Sequence, residues 1–195
     1  MTSTSSGALR GFPGEPEMTE KERTLLKVVS LLLQYPEAGL LDSLASLERA
    51  VSGIADPAAK VRCSDFLNHL RTTPLLRLQE TYSATFDLNP STSLDLGYHR
   101  WGDGKERGGA LARLVSLYAK AGYEVANGEL PDHLPLVLEF LSVCPEEMEL
   151  EIINEYGSQV ATLASRLAED GSPYAGLVRM VSESFAKRSP KPAGA

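Results

Sequence analysis

The sequence is poor in cysteine, in isoleucine and in positive charge, and each shortage removes a class of explanation. Its two cysteines, Cys63 and Cys144, stand 81 positions apart. With no C-x-x-C, one chain can build neither a zinc cluster nor a dithiol redox pair. Both thiols sit in apolar helical patterns and read as small buried hydrophobes in a reducing compartment. Lys and Arg number 19 against 26 Asp and Glu, a net charge of −7. That is the wrong sign for the counterion release that drives binding to a phosphate backbone, so no nucleic-acid partner is expected. Long apolar runs are missing too. The most apolar stretch, residues 28–33, is interrupted by Ser30 and is far short of the roughly 20 residues that span a bilayer. The N-terminal MTSTSSGALRGFPGEPE lacks the apolar core of a signal peptide. A soluble, cytoplasmic protein is expected, with residues 1–17 a disordered lead and residues 188–195 a disordered tail.

Three Ile and 11 Val against 30 Leu tilt the chain away from the β-branched residues that fill strands. At 195 residues it is long enough to bury roughly 70% of its unfolded surface as one domain. Residues 18–187 are therefore expected to form an all-α, single globular bundle of about eight helices. Thr19-x-x-Glu22 has the spacing of a capping box, and the helix after it ends at Tyr35-Pro36. Leu40, Leu41, Leu44, Leu47 and Val51 predict a second helix with Gly53 as its left-handed stop. Asp56-Pro57, Thr73-Pro74 and Ser172-Pro173 each look like a helix start with Pro at the first position. Leu75, Leu78, Tyr82 and Phe86 make one apolar stripe; Leu111, Leu114, Val115, Tyr118 and Ala121 make another. Further helical patterns cover residues 132–143, 145–169 and 172–187. Between the fourth and fifth helices, residues 89–104 are non-periodic and rich in Ser, Asp and Gly. A loop of that length in a compact domain is usually functional or disordered.

Chemistry-bearing residues gather in two places. Tyr98-His99-Arg100-Trp101-Gly102 runs through Lys105 to Arg107-Gly108 and holds the single Trp. Entering a helix, it reads either as a cradle for an anion or a partner's carboxylate or as a tight turn with a solvated basic rim. Glu129-Leu130-Pro131-Asp132-His133-Leu134-Pro135 reads either as Asp132 orienting the His133 imidazole or as Asp132 capping a helix with His133 exposed. A metal-dependent enzyme using His99, His133 and Asp132, with Asp95 or Asp103 as further acids, is the alternative, although no ligand pair has metal-binding spacing. A helical regulator is another, and it lacks a basic recognition helix. Glu146, Glu147, Glu149, Glu151 and Glu155 form an acidic face, read as dipole complementation at a helix start or as a docking face for a basic segment.

Four stretches together resemble a known family: LLLQYP at 31–36, YSATFD at 82–87, YHRWG at 98–102 with Arg107-Gly108, and ELPDHLPLVLEFL at 129–141. They are similar to the delta-chain (NarJ-type) assembly chaperones of respiratory nitrate reductase, within the wider group of molybdoenzyme maturation chaperones. The resemblance spans roughly residues 21–187. It implies a non-enzymatic, all-helical chaperone that binds the N-terminal segment of the apo catalytic subunit. Such a chaperone delays membrane docking until iron–sulfur centres and bis-molybdopterin guanine dinucleotide are in place. No cofactor would be bound permanently, cofactor-synthesis proteins would be further partners, and the state would be a monomer or weak dimer. The residues it marks for client contact are Tyr82, Phe86, Tyr98, His99, Arg100, Trp101, Arg107, Asp132, His133, Pro135 and Glu139. Tyr82 and Phe86 would form the floor of a groove for an amphipathic client helix, and residues 98–107 its wall. Thr85 stands where the family pattern has an aliphatic residue, and the long C-terminal extension of some members is missing.

Overall fold

Thr19 opens the first helix as its capping-box spacing predicts. Its hydroxyl accepts from the Glu22 amide while the Glu22 carboxylate accepts from the Thr19 amide, satisfying two donors the first turn cannot pair. The computed structural model describes residues 18–126 and 128–188; the expected disordered lead 1–17 and the tail beyond Arg188 lie outside the described residues. In chain order the helices are α1 (Glu20–Leu32), α2 (Ala38–Asp42), α3 (Leu44–Ser52), α4 (Pro57–Thr72), α5 (Leu75–Tyr82), α6 (Tyr98–Trp101), α7 (Lys105–Lys120), α8 (Leu134–Leu141), α9 (Glu146–Glu169) and α10 (Ala175–Arg188). Arg188, expected to begin the tail, closes α10. A π-helical turn, Ser83–Asp87, follows α5, and a 3-10 turn, Pro90–Thr92, follows that. Among the described residues there is no strand, only one isolated antiparallel bridge between Asp95 and His133.

Among the described residues ten helices replace the expected eight, for two local reasons. The second helix breaks at Ser43, whose hydroxyl donates to the Leu40 carbonyl and competes with the helical ladder, giving α2 and α3. Gly53 caps α3 in a right-handed conformation at φ −80°, not the left-handed one its identity suggested. The non-periodic segment then folds a four-residue helix, α6, which stops at Gly102 with φ +54°, a backbone only glycine adopts without strain.

Helix α8 is buried along most of its length. Leu134, Pro135, Val137, Leu138, Phe140 and Leu141 are all buried, so this helix is apolar nearly all round, as a core helix must be. Each such side chain contributes about 2 kcal/mol on burial. α1 lies along α8 and is fastened by the Ser30 hydroxyl, which donates to the Pro135 carbonyl at 2.7 Å, and by a Lys27–Glu139 ion pair. Arg23 donates to the carbonyls of Leu141 and Cys144 at 3.3 and 2.9 Å, pairing acceptors that the end of α8 leaves open. α9 and α10 form an antiparallel hairpin turned at Gly171. An aromatic cluster of Tyr35, Tyr82, Phe86, Tyr174 and Phe66 ties α5 and the π-turn to α4 and the α9–α10 turn. Both cysteines are buried, and burial pushes their thiols up to about 11. None of the described helices is long and apolar enough to cross a membrane.

Candidate functional site

The two stretches that the sequence singles out meet in space. The Leu96 amide donates to the Asp132 carbonyl at 3.0 Å and the Leu134 amide to the Leu94 carbonyl at 2.8 Å. This stitch sets the side chains of 95–107 against those of 131–133. Asp132 is fully buried. One of its carboxylate oxygens accepts from the Gly97 amide at 2.9 Å and from Arg107 at 3.4 Å; the other has no partner among the described residues. Gly97 is required by proximity, since a Cβ there would stand 2.6 Å from that carboxylate oxygen. Arg107 also lies 3.4 Å from Asp95, and His133 Nδ1 donates to the other Asp95 oxygen at 2.9 Å. The order is therefore His133, Asp95, Arg107, Asp132, from the half-exposed end inward.

This corrects both readings of the Asp132-His133 pair. Asp132 does not orient the imidazole, because Asp95 does, and Asp132 does not cap α8, whose N-cap is His133 with no side-chain bond. The two carboxylates are pushed in opposite directions. At Asp95 burial raises the pKa, but His133 and Arg107 outweigh it and hold the group below its ordinary value. At Asp132 burial dominates, Arg107 offsets only part of it, and the group is held above its ordinary value.

The half-exposed end of this chain of charges opens into a groove of about 570 Å³. Tyr35, Tyr82, Leu130, Pro135 and Leu136 give it apolar surface, and Glu37, Glu129 and Glu139 stand around it with Asp95 and His133. Tyr35 and Leu130 are 44% and 40% exposed, so both leave apolar surface open at the groove. Of the residues marked from sequence, Tyr82, His133, Pro135 and Glu139 line the groove. Asp132 and Arg107 lie behind it, and Phe86 is enclosed in the aromatic cluster beneath Tyr82. The expected wall, 98–107, is elsewhere. Tyr98 lies under Arg107. Arg100 stacks on Trp101 and pairs with Glu155 of α9, and Trp101 meets Tyr156 edge-on. His99 Nε2 donates to the Ser93 carbonyl at 2.7 Å while Arg166 donates to its Nδ1 at 3.3 Å. The actual walls are residues 34–37 and 128–139. Sequence reasoning passed over Tyr35, Glu129, Leu130 and Leu136 as site residues although each lies inside a quoted motif.

The acidic run is divided: Glu146, Glu147 and Glu149 sit in the first turn of α9, as dipole complementation expects. Glu149 is buried and paired with Arg188, and Glu155 takes Arg100 and Arg113. His99, His133 and Asp132 do not converge, and among the described residues no group of three His, Cys, Asp or Glu side chains is placed to hold a metal ion.

Comparison with known proteins gives this geometry its context. The family model described as nitrate reductase delta subunit matches residues 45–179. The chain is 35% identical over 152 residues to the nitrate reductase molybdenum cofactor assembly chaperone NarJ of Escherichia coli (strain K12), covering 77% of this chain and 64% of that protein. It thus spans a little under two thirds of that relative's length. A candidate NarJ of Bacillus subtilis (strain 168) is 29% identical over 163 residues, covering 84% of this chain and 89% of that one. The crystal structure of a candidate redox enzyme maturation protein from Archaeoglobus fulgidus superposes with a TM-score of 0.63 at 24% identity, over 92% of this chain and 99% of that one, which shows a shared fold. With a match that runs from α3 into α10 and takes in both halves of the stitched site, the chain belongs to the nitrate reductase delta subunit family.

Proposed function

We propose that this protein is a non-catalytic assembly chaperone whose groove receives the N-terminal segment of the apo catalytic subunit of respiratory nitrate reductase. While bound, it holds that subunit back from its membrane anchor as the iron–sulfur centres and bis-molybdopterin guanine dinucleotide are inserted. The cofactor is cargo of the client, not a resident of the chaperone. The observation that carries the reading is the composition of the groove: apolar surface of Tyr35, Leu130, Pro135 and Leu136 interleaved with Glu37 and Glu129, and with Glu139, which pairs with Lys27. Such a surface suits an amphipathic segment that lays its apolar face inward and sets Lys or Arg against the rim. The 35% identity to a named assembly chaperone supports the same reading.

Calorimetry with a peptide copying the N-terminus of the cognate catalytic subunit tests it. Binding is expected with a negative heat-capacity change, weakened by salt and by Glu129→Lys on the order of tenfold. Equal affinity for an unrelated amphipathic peptide would overturn the claim of a specific client.

A further inference from the structure

The four carboxylates that line the groove differ in what already holds them. Among the described residues Glu37 and Glu129 make no ion pair, Asp95 is taken by His133 and Arg107, and Glu139 is taken by Lys27. Lys27 does not itself line the groove. It reaches Glu139 from the neighbouring helix α1.

Glu139 is the one charged side chain of α8. It lies three and four positions after Leu136 and Pro135, which places all three on one face of that helix, the face that gives the groove its apolar surface there. An acid in that position is where a client's cation would end a stripe of apolar contacts. Lys27 and Glu139 are 42% and 46% exposed, and an ion pair so open to water adds little to the stability of a fold. The buried bond from the Ser30 hydroxyl to the Pro135 carbonyl, one turn further along α1, holds the two helices together without it. What the pair does alter is the charge that the groove presents, because it neutralises the acid of α8 before any client arrives.

We infer that Lys27 is an internal competitor for the client's cation: it occupies Glu139 in the free protein and gives that carboxylate up to a Lys or Arg of the bound segment. The inference rests on the reading of the groove as a client site. Exchanging one half-exposed ion pair for another is nearly neutral, so Lys27 does not close the groove. It lowers the affinity by the fraction of time that Glu139 is engaged, and it re-pairs the carboxylate when the client leaves. A chaperone that must hold its client and then release it gains from a contact that is reversible in this way.

Calorimetry with the peptide copying the N-terminus of the cognate catalytic subunit, on the wild type, Lys27→Met, Glu139→Gln and the double variant, tests this. Lys27→Met keeps the aliphatic stem and frees Glu139. It is expected to tighten binding about two- to sixfold, the range set by how weakly a half-exposed ion pair holds its partner, with the melting temperature almost unchanged. In the Glu139→Gln background the same substitution is expected to bring a clearly smaller gain. An equal gain there would assign the effect to net charge alone and overturn the proposal. Unchanged or weaker binding to Lys27→Met, with the wild type binding the peptide, would remove the role of Lys27 and leave the client reading standing. A peptide that bound none of the four proteins would overturn the client reading and this inference with it.

Discussion

A fully buried carboxylate with one half-used guanidinium beside it makes Asp132 the residue on which the site turns. Asp132→Ala leaves the Gly97 amide unpaired and Arg107 with Asp95 alone. The expected cost is about 3 kcal/mol, not the roughly 1 kcal/mol of a lost helix cap. Asp132→Asn keeps an acceptor for Gly97 and should cost clearly less; urea melts of the two variants check the ordering. His99 carries a separate pH signature. Burial lowers its pKa below the ordinary 6.5, the Ser93 carbonyl works against that shift, and Arg166 adds to it. As pH falls through 6.5 the unfolded chain takes up the proton before the folded one does. The stability is therefore complete above that value and is lost on further acidification. The fall in melting temperature between pH 7.5 and 5.5 should be smaller in His99→Gln than in the wild type. Neither residue's partner could be read from sequence. Periodicity places Asp132 and His133 side by side at a helix start, but 38 positions separate His133 from the Asp95 that engages it, and spacing rules do not reach that far.

Helices whose ends are marked by local chemistry were legible; breaks set by side-chain competition were not. Thr19, Asp56 and the Pro57 that follows it announce α1 and α4 because the groups they satisfy lie within three residues. Ser43 leaves the apolar spacing from Leu40 to Val51 intact and yet splits the helix, since its hydroxyl bonds backward to a carbonyl that no periodicity records. The stripe through Tyr82 and Phe86 buries both side chains, Phe86 inside the aromatic cluster and not on the groove floor expected for it, and does so through a π-turn that the spacing does not distinguish from a regular helix. Among the elements, α8 depends most on a neighbour, because its apolar circumference offers its C-terminal carbonyls no polar side chain of its own apart from Ser142. Arg23 of α1 supplies what is missing. Arg23→Met keeps the aliphatic stem and removes the two charged donors, with an expected loss of about 2 kcal/mol measurable as a lowered denaturation midpoint at unchanged slope.

At the scale of the whole molecule, an all-helical fold could be read from Leu dominance, and family membership from four short motifs, but the groove could not. Its walls come from residues 34–37 and 128–139, two stretches distant in sequence that are brought together by the packing of α1 on α8 and by Tyr82 and Asp95 between them. The backbone stitch between residues 94–96 and 132–134 has a topological consequence. Between its two ends the chain runs out through α6 and α7 and returns, so those helices hang on a closed ring in an otherwise linear chain. Closing a ring of this size costs a few kcal/mol of chain entropy, repaid only when Asp132, Gly97 and Arg107 are all in place. Opening should then be all-or-none. Amide hydrogen exchange at Leu96 and Leu134, on opposite sides of the ring's clasp, is expected at one common rate, and Asp132→Ala should accelerate both equally. With both ends of the ring expected to open together, whatever loosens the back of the groove should loosen α7 with it.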